Sequence, residues 1–209
     1  MVEIPGSRDA VYKDALDRVT VGGARALEAR VVLLEYDSAW PGLFEREATR
    51  VRLVLGERVH LLEHAGSTAV PGLPAKPVID MVLEIPDPSD EPAYVAAVEA
   101  AGYVLRIREP EFFEHRVFKG PDTDINLHVF PEGCEETLRM LTFRDRLRAH
   151  PEERDLYARI KRELAAREWA YMQQYADAKT AVITEILARA ADEAARRAAV
   201  AAPASDGPG

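Results

Sequence analysis

Hydrophobic residues fall along the chain in two rhythms. Val31-Val32-Leu33-Leu34, residues 60–65 and residues 78–85 are short apolar runs, the last closed by Pro86 and Pro88, and they read as strands. Between the first two runs, Leu43, Phe44, Val51, Val54 and Leu55 recur at helical spacing up to Gly56. Ser38 stands as the N-cap of that helix, with Pro41 in its first turn. Residues 91–101 predict a second helix, stopped by Gly102. Residues 103–107, 112–118 and 125–130 predict three more strands, the last two joined by Gly120-Pro121-Asp122. From residue 135 to about 189 the pattern is helical, broken at His150-Pro151 and again near Arg167. Mixed strands and helices followed by helices alone predict an α/β or α+β sheet domain with a C-terminal helical segment.

The two ends differ from this block. Residues 1–29 are polar and mixed, and Gly22-Gly23 interrupts a weak helical pattern, so they read as an N-terminal extension. Nine of the twenty residues in 190–209 are alanine, which predicts a fraying helix running into a disordered end. The domain proper is expected over residues 30–189.

Composition narrows the function. A formal net charge of -9 argues against broad nucleic-acid binding, yet leaves room for a small basic pocket. A single cysteine, Cys134, leaves no internal disulfide and no multi-cysteine zinc site. No apolar run approaches the roughly 20 residues of a membrane span, and Met1-Val2-Glu3-Ile4-Pro5 does not open a signal peptide. A cytoplasmic protein is expected. Its oligomeric state is left open.

The candidate chemistry starts at His64-Ala65-Gly66-Ser67-Thr68 and Lys76-Pro77-Val78-Ile79-Asp80. A turn built on Gly66, Ser67 and Thr68 can bind a phosphate chain, and a carboxylate on the next strand, Asp80, can hold the metal that neutralises it. Alternation over Asp124-Ile125-Asn126-Leu127-His128-Val129-Phe130 puts Asp124, Asn126 and His128 on one strand face, an unusual set if that face meets only water. Lys76, Arg116, Lys119, Arg144 and Lys179 can each reach an anion. In Phe143-Arg144-Asp145-Arg146-Leu147-Arg148, the inward pair Phe143 and Leu147 sets Arg144 and Asp145 at a pocket rim, with Arg146 and Arg148 solvated. Tyr175 and Lys179 lie one helical turn apart and point together. Each residue also has a plain alternative: an ordinary tight turn at Gly66-Ser67, an Asp80–Lys76 pair, or packed histidines at His64 and His128.

These strings, with Tyr36-Asp37-Ser38-Ala39-Trp40-Pro41, Asn126-Leu127-His128-Val129 and Tyr175-Ala176-Asp177-Ala178-Lys179, resemble the GrpB family over about residues 31–187. The resemblance implies a nucleotidyltransferase-like α+β fold, a mixed sheet with flanking helices. In that superfamily a Gly-Ser turn precedes an Asp-x-Asp/Glu pair that binds two magnesium ions, and a third polar residue stands on a later strand. Carried over, Gly66 and Ser67 form the phosphate turn, and Asp80 is the first metal carboxylate. Asp124, Asn126 or His128 takes the third position. The chain departs from the pattern at Val82, where the second acid should stand. Glu84 lies about 13 Å along the strand from Asp80, too far to share a metal. A one-metal arrangement of Asp80 with Asp124 or His128 is the remaining form. The implied function is binding of a nucleotide, or another phosphorylated small molecule, with magnesium, and transfer of a nucleotidyl group to a small acceptor. The alternative is a ligand-binding or partner-supporting domain without transfer, since the family also occurs attached to dephospho-coenzyme A kinase. A third expectation is hydrolysis on a transition metal held by His64, His128 and Asp80.

Overall fold

The computed structural model describes residues 6–201 of the chain. Five strands form one mixed sheet: β1 (Leu61–Ala65), β2 (Ile79–Ile85), β3 (Val104–Glu109), β4 (His115–Lys119) and β5 (Ile125–Pro131), in the order β1-β2-β5-β4-β3. Only β2 and β5 run parallel; every other neighbouring pair is antiparallel. The α+β class with a mixed sheet is as the sequence predicts.

Seven helices surround the sheet: α1 (Gly6–Val19), α2 (Trp40–Leu55), α3 (Val95–Ala100), α4 (Glu135–Ala149), α5 (Pro151–Ala165), α6 (Met172–Asp177) and α7 (Thr180–Ala201). Among the described residues no helix is long and apolar enough to cross a membrane. Trp40, Phe44, Ala48, Val51 and Leu55 repeat at three- and four-residue spacing, so α2 buries one continuous stripe. That stripe and α3 cover a sheet face made by Leu62, Ile79, Met81, Leu83, Ile125, Leu127, Val129 and Phe118. Within this apolar layer Glu47 is 0% exposed. It accepts hydrogen bonds from Tyr103 (2.8 Å), Arg50 (3.1 Å) and Thr123 (3.1 Å), which is how a carboxylate tolerates burial. The opposite face is covered by α4, where Ala65, Val82 and Phe130 meet Cys134, Met140 and Leu141. The C-terminal helices join through Leu147, Tyr157, Ala158, Val182 and Ile186, which pack on Val70 and Leu73.

Several elements differ from the sequence reading. Residues 31–34 form no strand; only Leu34 pairs, through two hydrogen bonds with Ala75, and Val31 turns instead to Leu164 and Tyr175. Val31 and Leu33 serve the helical layer, while Val32 and Leu34 stay exposed. The α2 cap is not Ser38: Asp37 accepts the Ala39 N–H at 2.8 Å, and the helix opens at Trp40. The helix expected over 91–101 splits into a 3₁₀ turn, Glu91–Ala93, and α3, because Tyr94 sits at φ -144° between them. The buried Tyr94 ring hydrogen-bonds Pro88 O, and that anchoring sets the break. Strand β4 starts at His115 rather than 112, since Phe113 and Glu114 turn at φ 52° and 50°. In the N-terminal extension α1 leads into a pairing of Val21 N–H with Arg106 O on β3. Helix α7 continues to Ala201, into the Ala-rich segment where a helix is expected. The disordered end expected beyond it lies outside the described residues.

Leu127 is 0% exposed at the centre of the α2-facing layer. Leu127→Ala is expected to cost about 2–5 kcal/mol of unfolding free energy, seen as a lower urea midpoint at unchanged slope.

Candidate functional site

Register builds the site. Asp80 pairs with Asn126 across the parallel β2–β5 ladder and with Ala65 across β1–β2, and Asn126 pairs with Lys119 of β4. Alternation turns Asp80, Asn126 and His128 to the face opposite α2. Helix α4 covers Val82 and Phe130 further along, so the polar row at the start of β2 faces α5 and the α6–α7 junction.

The turn after β1 lies against this row. Gly66 adopts φ 66° and ψ -166°, and a Cβ there would overlap the Asp80 carboxylate. Only glycine permits so close an approach in this conformation. Beyond it, Ser67 accepts a hydrogen bond from Lys161 Nζ at 2.8 Å, and the same ammonium donates to Pro74 O at 2.6 Å. Lys161 is 2% exposed and has no carboxylate within ion-pair distance among the described residues. Its Nζ stands 5.3 Å from the Tyr157 ring centroid, a partial stand-in for a counter-ion. Burial drives its pKa well below the ordinary lysine value, and Lys179 and Lys76 push the same way against Asp80. Lys179 sits over the Tyr175 ring at 4.8 Å. Burial and then Lys76 push it down to about 8, with Asp80 and Asp177 opposing. Lys76 is lowered too, by burial and Lys119 against Asp80 and Asp124. Three lysines thus share one carboxylate. Tyr175 is buried, and its hydroxyl has no hydrogen-bond partner.

Asp80 stays ionised among them. Burial works to raise its pKa, but His128, Asn126 and Lys76 outweigh it, and the carboxyl lies below its ordinary value. Asn126 Nδ2 donates to Asp80 Oδ1 at 2.7 Å, and His128 Nε2 stands 3.7 Å from the same oxygen. Behind His128 runs a second line of polar contacts. Its Nδ1 is 3.0 Å from His115 Nε2, the rings lie within 3° of parallel, and His115 Nδ1 is 2.7 Å from Glu109 Oε2. Burial and His128 hold the His115 pKa down against Glu109, so this ring is neutral and carries one N–H. A carboxylate only accepts, so that proton belongs to Nδ1; His115 Nε2 must then accept from His128 Nδ1–H. His128 Nε2 is then the ring nitrogen that faces Asp80.

Other candidates are placed elsewhere. His64 lies on the opposite sheet face, stacked on Phe44 at 4.9 Å. It donates to Thr68 Oγ1 (3.0 Å), which donates to Val78 O, so Thr68 is a staple of the turn. Burial pushes the His64 pKa down to about 4, with Arg148 and Arg144 adding to it and Asp80 opposing. A metal held by His64, His128 and Asp80 has no geometry here. Arg116 is on the α3-facing side, bonded to Glu91 at 2.8 Å and to Glu114 O. Arg144 covers the free edge of β1, donating to His64 O (2.9 Å), Glu63 (2.8 Å) and Asp145 (2.8 Å). A hollow of about 270 Å³ opens there between Tyr36, Phe44, Glu63 and Arg148. Arg148 also donates to Ala69 O, so the rim arginines hold the edge. Asp145 is occupied by Arg144 and Arg148. Asp124 is exposed and pairs with Lys119 at 2.9 Å.

The donors do not suit the two magnesium ions the resemblance implies. Val82, where the second carboxylate would stand, is 0% exposed under α4. Among the described residues, no group of three or more His, Cys, Asp and Glu side chains is gathered to hold a metal ion. Lys161, Tyr157, His115 and Glu109 had not been singled out in the sequence. Lys161 did carry a signal, because it falls on the buried stripe of α5 with Tyr157, Ala158 and Leu164.

The five-stranded mixed sheet, the glycine turn against Asp80 and the flanking helices define an α+β protein with one polar site at the start of β2. The family model described as GrpB protein matches residues 30–189, and the chain belongs to the GrpB family. A UPF0157 protein of Halalkalibacterium halodurans is 58% identical over 177 residues, covering 85% of this chain and 91% of that one. The crystal structure of conserved protein GrpB from Enterococcus faecalis superposes with a TM-score of 0.69 at 31% identity, over 78% of this chain and 98% of that one. A dephospho-CoA kinase of Mycolicibacterium paratuberculosis is 27% identical over 165 residues, 66% of this chain and 40% of that enzyme.

The hydrogen-bonded line makes a spectroscopic prediction. With five histidines in the chain, long-range proton–nitrogen NMR spectra should show His115 with its proton on Nδ1 and none on Nε2 at neutral pH. Glu109→Ala should remove that preference. A proton on His115 Nε2 in the unaltered protein would contradict the assignment.

Proposed function

We propose that the chain binds a phosphorylated small molecule, in the first place a nucleotide, in the cleft between the start of β2 and helices α5 to α7. The observation that carries this reading is Lys161, a buried amine on Ser67 with no carboxylate partner, beside Lys179 and Lys76. Buried amines without counter-ions are costly. A phosphate among them would favour the charged form of each, so binding and protonation reinforce one another. The Gly66–Ser67 turn offers backbone and hydroxyl groups to the same anion. The likeness to part of a dephospho-CoA kinase agrees with a nucleotide-related ligand.

For turnover, the reading is transfer to a small acceptor, with the Asp80–His128 pair placed to receive a hydroxyl proton. One observation favours a second reading, a binding or partner-supporting domain without transfer: Val82 fills the second acid's place. Mass spectrometry of nucleotide incubated with a metabolite pool separates the two, since only the first yields a product.

Binding is tested by calorimetry with inorganic pyrophosphate and with adenosine mono-, di- and triphosphate. Lys161→Met is expected to weaken binding by about tenfold or more, as for loss of a charge-assisted hydrogen bond. Equal affinity in the variant, or no binding of any phosphate, would refute the reading. The pH dependence has a definite sign. Lys179 is charged below about pH 8 and loses its proton above it, so affinity should fall as pH rises through that value. Lys179→Arg should flatten this part of the profile.

A further inference from the structure

We propose that the cleft takes its polyphosphate ligand free of metal, with Lys76, Lys161 and Lys179 standing where nucleotidyl-transfer sites place divalent cations. The inference rests on the anion-binding reading above and specifies the ionic form of the ligand.

Three observations lead to it. The first is charge. When all are protonated, three ammonium groups outnumber Asp80, which Asp177 and Asp124 supplement more weakly at Lys179 and Lys76, so the balance is positive. A terminal phosphate carries about -1.5 to -2 near neutral pH, so it offsets that excess without a metal ion. A magnesium ion at Asp80 would add two further positive charges where Lys76, Lys161 and Lys179 already repel one another. The second is the donor set. Asp80 Oδ1 already accepts the Asn126 amide, which turns N–H groups rather than lone pairs towards that oxygen. Val82 is packed between Ala65, Phe130 and Cys134, so no side-chain rotation supplies another acid. The third is hydrogen bonding. Lys161 is already fixed by Ser67 Oγ and Pro74 O, two of the three directions an ammonium can donate in, leaving one N–H for an outside acceptor. Magnesium usually polarises and clamps phosphoryl oxygens. A fixed ammonium does the same through short charge-assisted hydrogen bonds, without needing carboxylates to hold it.

Magnesium in solution then acts against binding, because it chelates the ligand that the lysines need bare. The test uses the full chain and inorganic pyrophosphate, titrated calorimetrically in EDTA and again with magnesium in excess. Expected is binding in EDTA that weakens by several-fold or more with magnesium. Asp80→Asn, nearly isosteric, separates the cases further. In this variant the weakening by magnesium should persist, since it does not depend on a carboxylate that could hold the ion. Binding that requires or strengthens with magnesium, and is lost in Asp80→Asn, would overturn this inference while leaving the anion-binding reading intact. Absence of binding under both conditions would overturn both.

Discussion

The parallel pairing of β2 with β5 is the constraint on which the site depends. Asp80 stands opposite Asn126, and Val82 opposite His128, because the two strands enter the sheet from the same end. The side-chain period is two, so one register fixes both faces together. Met81, Leu83, Leu127 and Val129 go under α2, and the polar set goes to the other side. A slip of one residue would bury Asp80 and Asn126 against Phe44 and Val51. The apolar layer therefore enforces the polar one. Antiparallel β1 then delivers Ala65 next to Asp80, and the turn at Gly66 has to follow at once. That turn leaves no room for a Cβ, so backbone and carboxylate are fixed by the same contact.

The lysines sit at the far wall of that cleft, and they oppose stability where the sheet favours it. A buried ammonium normally pairs with a carboxylate, as Arg144 and Arg146 do with Glu63 and Glu153. Lys161 instead rests on a hydroxyl, a carbonyl and an aromatic ring. Places where local rules fail without local compensation are where function is to be sought. The contrast with the arginines is instructive. The basic side chains that pair fully hold the edge of β1 or the helical layer, and those that pair poorly cluster around Asp80.

Much of this could be read from the chain. Strands β1, β2 and β5 and helix α2 carry strong periodicity, and the structure holds them within a residue or two. Ser67, Asp80, Asn126 and His128 were found together because alternation assigns faces without knowledge of the fold. Alternation could not say which strand edge an arginine would cover, so Arg144 and Arg116 were read as ligand groups when they hold the β1 edge and the 3₁₀ turn at Glu91. His64 shows the same limit: it is adjacent to the turn in sequence, and the pleat sends it to the other face. Lys161 is hidden for the reverse reason. It lies 81 residues past Asp80 on a helix whose buried stripe also holds Tyr157, Ala158 and Leu164, and only tertiary packing brings it to Ser67. A lysine on an apolar stripe is legible once the stripe is drawn first.

The two sides of the cleft differ in a way that bears on polarity. On the helix side are amines, one turn hydroxyl and the buried Tyr175 hydroxyl, all suited to oxygen anions. On the sheet side, the line from Glu109 through His115 fixes the His128 ring beside Asp80, whose carboxylate is an acceptor. Acceptors repel phosphate oxygens and attract hydroxyl or amino protons. A ligand carrying both kinds of group therefore has one favourable orientation, phosphate towards α5 and α7 and its neutral donor towards β5. On the proposed reading, an acceptor molecule would enter from the sheet side, where the proton it gives up has a place to go. The pairing that positions Asp80 therefore also sets which end of a ligand meets which charge.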